Sequence, residues 1–264
     1  MSPLILCTLA LVQAQAQVPA QGQTQVAQPP SGAALISKMF AYYASATTMT
    51  GAIHMTQQAA SSTVTLDTSL AYEGPSKIYL RQALGGANPM VWLVTSDGKS
   101  FTYDFPNTTR TAANRAEPGR LLEAVSPTQS IHLTYRQIFH ASVQSLGDVS
   151  LPVLLSVAGR DELQAVKDMI GSIQYMGTTK IGTDSVNVIG GGWKAGPRAP
   201  VSAQYKLFIT DDGQLKRYVE TNIVSLKLPT GQMQPQQVLT TWDVDLHVNA
   251  QPDETLFKVI MTGS

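Results

Sequence analysis

Tyr72–Pro106 reads Y-E-G-P-S-K-I-Y-L-R-Q-A-L-G-G-A-N-P-M-V-W-L-V-T-S-D-G-K-S-F-T-Y-D-F-P. Runs rich in β-branched and aromatic residues alternate here with polar turns. Asp97-Gly98 supplies a tight reversal between two of them. This is the grammar of an antiparallel sheet, and it predicts strands over Lys77–Ala83, Met90–Thr95 and Lys99–Tyr103.

Upstream, Met49–Gln58 and Ser62–Tyr72 continue the pattern. In the second, Val64, Leu66, Leu70 and Tyr72 share one face, and Thr63, Thr65, Asp67 and Ser69 share the other. Ala33–Thr48 has helical spacing instead: Leu35, Ile36, Met39, Phe40 and Tyr43 form one stripe behind Ser31 as a cap. Such a helix must lie on something apolar.

Downstream, Thr108–Ala112 reads as a further short strand, whereas Arg120–Val125 and Gly147–Gly159 are apolar with interruptions. Pro152 fits a first helical turn, and Arg160–Gly171 predicts a short helix through Leu163, Val166, Met169 and Ile170. Strands resume over Ile173–Ile181, Ser185–Gly190, Ser202–Thr210, Leu215–Leu226, Gln237–Asn249 and Leu256–Met261. Asp211-Asp212-Gly213 is a second hairpin turn. About ten antiparallel strands with a few helices on one side make an α+β plan.

The 264 residues carry equal numbers of acidic and basic groups, and charged residues are only 14% of the chain. That composition provides no field for nucleic acid or an anionic membrane surface. Residues 1–16 read as a secretory signal, with an apolar run from Leu4 to Val12 and Ala14-Gln15-Ala16 as the cleavage pattern. Residues 17–32 are rich in Gln, Pro and Ala and read as a flexible leader. Residues 33–264 are then one domain. The sole cysteine, Cys7, leaves with the signal, and no later stretch approaches the about 18 apolar residues that span a bilayer. The expected product is soluble and periplasmic or otherwise secreted.

Catalytic and cofactor motifs are absent. The histidines at 54, 132, 140 and 247 have no metal-ligand spacing, and no serine lies in G-x-S-x-G. Gly190-Gly191-Gly192-Trp193 lacks the continuation of a phosphate loop and reads as a flexible crossover between strands. Asp67 with Glu73, or Asp243 with Asp245, are the carboxylates a glycan hydrolase would use. Alternation in W-D-V-D-L-H-V sends Val244, Leu246 and Val248 inward and leaves Asp243 and Asp245 on the wet side.

Gly51-Ala52-Ile53 at the first strand, G-P-S-K-I-Y-L-R (Gly74–Arg81), T-S-D-G-K-S-F-T-Y-D (Thr95–Asp104) and the closing V-L-T-T-W-D-V-D-L-H-V-N resemble the periplasmic lipoprotein-localisation carriers of LolA/LolB/LppX type. Within that superfamily the chain looks most like its predicted periplasmic proteins. The resemblance implies a strongly curved antiparallel sheet, an incomplete β-barrel, covered by helices. It implies noncatalytic binding or transport of a lipid, a lipoprotein acyl group or another apolar envelope ligand, without metal or cofactor. Contact candidates are then Tyr79, Trp92, Phe101 and Tyr103 on the sheet and Met39, Phe40 and Tyr43 on the covering helix. Arg81 is added by its proximity to the shared motif. A structural or protein-binding envelope domain with a solid core, and a glycan hydrolase, are the alternatives.

Overall fold

Hairpins account for most of the architecture. In the computed structural model the described residues are 31–60, 62–74, 76–86, 89–105, 119–124, 150–157, 160–194, 203–227 and 231–258. The predicted strand Thr108–Ala112, the signal and the leader up to residue 30 lie outside them, whereas Ser31 and Gly32, assigned to the leader from sequence, cap and begin the first helix. One eleven-stranded sheet has the order β6-β5-β4-β3-β2-β1-β11-β10-β9-β8-β7. Its strands are β1 (Thr48–Ala59), β2 (Ser62–Glu73), β3 (Lys77–Leu84), β4 (Met90–Asp97), β5 (Ser100–Phe105), β6 (Gly119–Ala124), β7 (Ile170–Ile181), β8 (Asp184–Trp193), β9 (Gln204–Ile209), β10 (Leu215–Lys227) and β11 (Met233–Val248). Two meanders, β1–β6 and β7–β11, are joined at the centre by the antiparallel pair β1·β11.

The turns hold the hairpins by specific chemistry. Asp97 Oδ1 accepts the Lys99 and Ser100 amides at 2.8 and 2.7 Å, and Gly98 takes a φ of +89°, which glycine adopts without a Cβ clash. At the centre of the sheet Gly51 has a φ of +147°, and a Cβ there would lie 2.0 Å from the Asp245 carbonyl. Glycine at that position lets β1 approach β11.

The resemblance-based expectation of a strongly curved, incomplete barrel is overturned. Strand order is linear, β6 and β7 pair with no further strand among the described residues, and the sheet is open. Closing a barrel needs the first and last strands to pair with a consistent stagger, and bending a sheet toward closure uses bulges. The ladders joining β1 to β6 run without a register shift. The irregularities fall at β7·β8 and β9·β10, well away from that half.

Helices occupy one face, called here the inner face. Helix α1 (Gly32–Ala44) is capped by the Ser31 hydroxyl, which accepts the Ala34 amide at 3.1 Å. It ends four residues before the predicted Thr48. The Ser45 hydroxyl donates to the Tyr42 carbonyl at 2.7 Å, and Asn249 Oδ1 takes the Thr47 amide at 3.0 Å, turning the chain into β1. The stripe Leu35, Ile36, Met39, Phe40 and Tyr43 is buried against Ile53, Leu70, Leu80, Leu207, Tyr218, Val244 and Leu246. Each such side chain contributes about 1.5–3 kcal/mol of transfer free energy before ordering costs. Helices α2 (Leu151–Val157) and α3 (Arg160–Asp168) lie between β6 and β7 in the chain, and Leu151, Val153, Leu155, Leu163 and Val166 join the same core. Pro152 sits in the first turn of α2, where its missing N–H costs nothing.

Three sequence assignments change. Arg120–Val125 overlaps strand β6, Gly119–Ala124. Residues 190–193 are strand, with Gly190, Gly191 and Gly192 paired to Gln174, Ile173 and Ser172, so the glycine run is part of β8 and not a crossover. The described part of Leu256–Met261 begins as a 3-10 turn, Glu254–Phe257, with Asp253 accepting the Thr255 amide at 2.9 Å.

Candidate ligand-binding face

Alternation sorts the sequence-derived contact residues onto two faces. In the β3·β4 ladder, Ile78, Leu80 and Gln82 pair with Ser96, Val94 and Trp92, and all six are buried on the inner face. Tyr79 pairs with Thr95 and Arg81 with Leu93 on the opposite, outer face. Trp92 therefore shares a face with α1, whereas Tyr79 and Arg81 do not. Phe101 pairs with Ser96 and Tyr103 with Val94, but their side chains lie outside the described residues.

Met39, Phe40 and Tyr43 are packed into the core, at 0%, 5% and 3% exposure, so the space directly beneath them is filled by the chain's own side chains. Tyr43 carries its hydroxyl inward, where it accepts the Leu215 amide at 3.2 Å. Burial pushes its pKa above the ordinary tyrosine value.

Beyond the helices, the inner face continues as an apolar row across six strands. Tyr218 pairs with Trp242, Trp242 with Met55, Met55 with Leu66, Leu66 with Leu84 and Leu84 with Met90. Met55, Leu66, Leu84 and Met90 are only half-buried. Beside them the buried pair Gln82 and Thr68 satisfy each other, Nε2 donating to Oγ1 at 3.3 Å. Sequence reading had the parity of β2 but not the register that joins six separate side chains into one row.

The β10 end of this row is polar. The Tyr218 hydroxyl and the Asn222 amide both donate to Glu220, and Gln57 Nε2 donates to Thr240 Oγ1 at 3.4 Å. Asn222 Oδ1 is buried without a hydrogen-bond partner. Aromatic rings crowd the spot: Tyr218 lies 4.9 Å from Trp242, Tyr205 lies 5.3 Å from Trp193, and Tyr205 pairs with Glu220 across β9·β10. Burial raises the Tyr218 pKa well above its ordinary value and pushes Tyr205 up to about 12.

The outer face is wet and charged. His54 meets Asp67 at 2.5 Å, Arg217 meets Asp243 at 2.5 Å, and His247 meets Asp245 at 3.4 Å. Glu73 is held by Lys77 at 3.2 Å. The carboxylates proposed for glycan hydrolysis are thus spread over an exposed face, each with its own cationic or histidine partner, and not set across a cleft. Nearer β7, a shallow trough of about 380 Å³ is floored by Gly190 and Gly192 and walled by Met176, Lys206, Thr221 and Leu239. Among the described residues no group of three or more His, Cys, Asp or Glu could hold a metal ion. None of their helices is long and apolar enough to cross a membrane.

No family model matches the chain, and no curated protein matches it. Several solved structures are similar at low sequence identity. MucB of Pseudomonas aeruginosa in complex with MucA is 10% identical at a TM-score of 0.41, covering 86% of this chain and 60% of that one. The lipoprotein LppX of Mycobacterium tuberculosis is 12% identical at 0.38, covering 82% and 97%. A LolA superfamily protein of Nitrosomonas europaea is 12% identical at 0.30, covering 87% and 98%. The chain thus spans less than two thirds of the MucB complex chain.

Proposed function

We propose that this chain is a noncatalytic binding protein of the cell envelope whose inner sheet face holds the hydrocarbon part of a lipid or an acylated molecule. One observation carries the reading: the row Met55, Leu66, Leu84 and Met90 runs on from the helix-covered core as half-buried apolar surface, bounded by Trp92 and Trp242. Apolar side chains left part-exposed in a line offer an acyl chain about 0.8 kcal/mol for each methylene they take from water. The occupant lies beside α1 and not beneath it, because the volume beneath α1 is packed.

Titration with a fluorescent fatty acid tests the proposal. Leu66→Gln is expected to weaken binding at least tenfold, and Tyr79→Ala, on the other face, to leave it within twofold. Equal affinity for Leu66→Gln and the parent chain would remove the inner face from consideration.

A protein-binding role has one observation in its favour. Ile173 and Met176 are 40% and 51% exposed on the edge strand β7, where an extended segment of another protein could add. Amide exchange separates the two readings: a lipid protects β1–β4, whereas strand addition protects β7.

A further inference from the structure

At the polar end of the inner face two donors converge on one carboxylate. Tyr218 and Asn222 both donate to Glu220, and Gln57 donates to Thr240. Two acceptors stay open there: the buried Asn222 Oδ1, which has no partner among the described residues, and the remaining lone pairs of the Glu220 carboxylate. Glu220 has neutral donors only. Among the described residues Lys77, Lys216 and Arg217 are committed to Glu73 and Glu254, to Asp184, and to Asp243, and no cation is paired with Glu220. A half-buried carboxylate without a counter-ion, next to an orphaned acceptor, favours a group that brings both donors and positive charge. The surrounding rings agree with that sign, since the faces of Tyr and Trp attract cations. Tyr218 and Trp242 stack at 4.9 Å, and Tyr205, opposite Glu220, lies 5.3 Å from Trp193.

We propose that Glu220 and Asn222 form a headgroup site for an amphipathic molecule bearing a cationic amine, whose hydrocarbon chain lies along Met55 and Leu66. The inference rests on the inner-face reading above and adds the chemistry of the ligand's polar end. An anionic headgroup is disfavoured at this place, where it would meet the Glu220 carboxylate and the unpartnered Asn222 oxygen.

The experiment uses the full chain and four probes below their micelle concentrations: dodecylammonium, dodecanoate, dodecyl maltoside and propylammonium. Binding is followed by calorimetry and by tryptophan fluorescence. Dodecylammonium is expected to bind at least tenfold more tightly than dodecanoate, and propylammonium at least a hundredfold more weakly than dodecylammonium. Glu220→Gln is expected to abolish the preference for the amine, and Glu220→Asp to restore part of it, which separates lost charge from lost fold. Equal affinity for the three twelve-carbon probes, or a preference that survives in Glu220→Gln, overturns the headgroup site and leaves inner-face binding standing. Tight binding of propylammonium overturns the amphipathic form and assigns the site to small amines. No binding of any twelve-carbon probe removes both proposals.

Discussion

Tyr43 shows how one side chain ties α1 to the sheet. Its ring fills the core and its hydroxyl accepts the Leu215 amide, an N–H that would otherwise be buried with no partner. Tyr43→Phe is therefore expected to cost about 1–2 kcal/mol at neutral pH, read from urea unfolding. The same burial sets a pH dependence. Tyr43, Tyr205 and Tyr218 all have pKa values raised in the folded chain, so above the unfolded value of about 10 the unfolded state releases protons that the native state keeps. Stability should then fall as pH rises from about 10, by up to about 1.4 kcal/mol per pH unit for each such tyrosine. The gap between Tyr43→Phe and the parent should narrow over the same range. Urea midpoints that stay constant to pH 11.5 would contradict this assignment of buried hydroxyls.

At the scale of elements, strand alternation was legible because most large apolar residues of β2 and β3, and of the W-D-V-D-L-H-V part of β11, fall two apart, with Thr68 and Gln82 as buried exceptions. The structure places Val244, Leu246 and Val248 inward and Asp243 and Asp245 outward, as the spacing predicts. Leu80→Ala should therefore cost about 2–5 kcal/mol, whereas Tyr79→Ala, one residue away on the outer face, should stay within about 1 kcal/mol. Similar costs for the two would mean that β3 is registered the other way. The glycine run 190–192 was misread because local punctuation favours a loop. In β8 its missing side chains instead give room to Tyr205 and Met176, which a Cβ at Gly191 or Gly190 would meet at 2.5 and 2.6 Å. Glu220 and Asn222 escaped notice for a different reason: L-K-R-Y-V-E-T-N looks like an ordinary half-wet strand. Alternation puts Glu220 and Asn222 on the face of Tyr218, but only the pairing of β10 with β9 and β11 brings Tyr205 and Trp242 beside them. The site candidates drawn from large aromatic side chains were divided between two faces because residue size carries no information on facing.

For the whole molecule, the sheet stays open because its two meanders meet at β1·β11 and place β6 and β7 at opposite ends, where they do not pair with each other. Most strands and both Asp-Gly hairpin turns were written in the sequence, β6 excepted, whereas closure depends on how distant edges are placed, and no local signal fixes that. The open arrangement moves the binding question from an enclosed barrel to the inner surface beyond α1. The direct measurement is native mass spectrometry of the full chain, before and after incubation with envelope lipid extract, with organic extraction of any adduct. The account predicts one amphipathic molecule per chain, released by extraction and lost in Leu66→Gln. Protein that stays ligand-free under both conditions, or an adduct unaffected by Leu66→Gln, would contradict it.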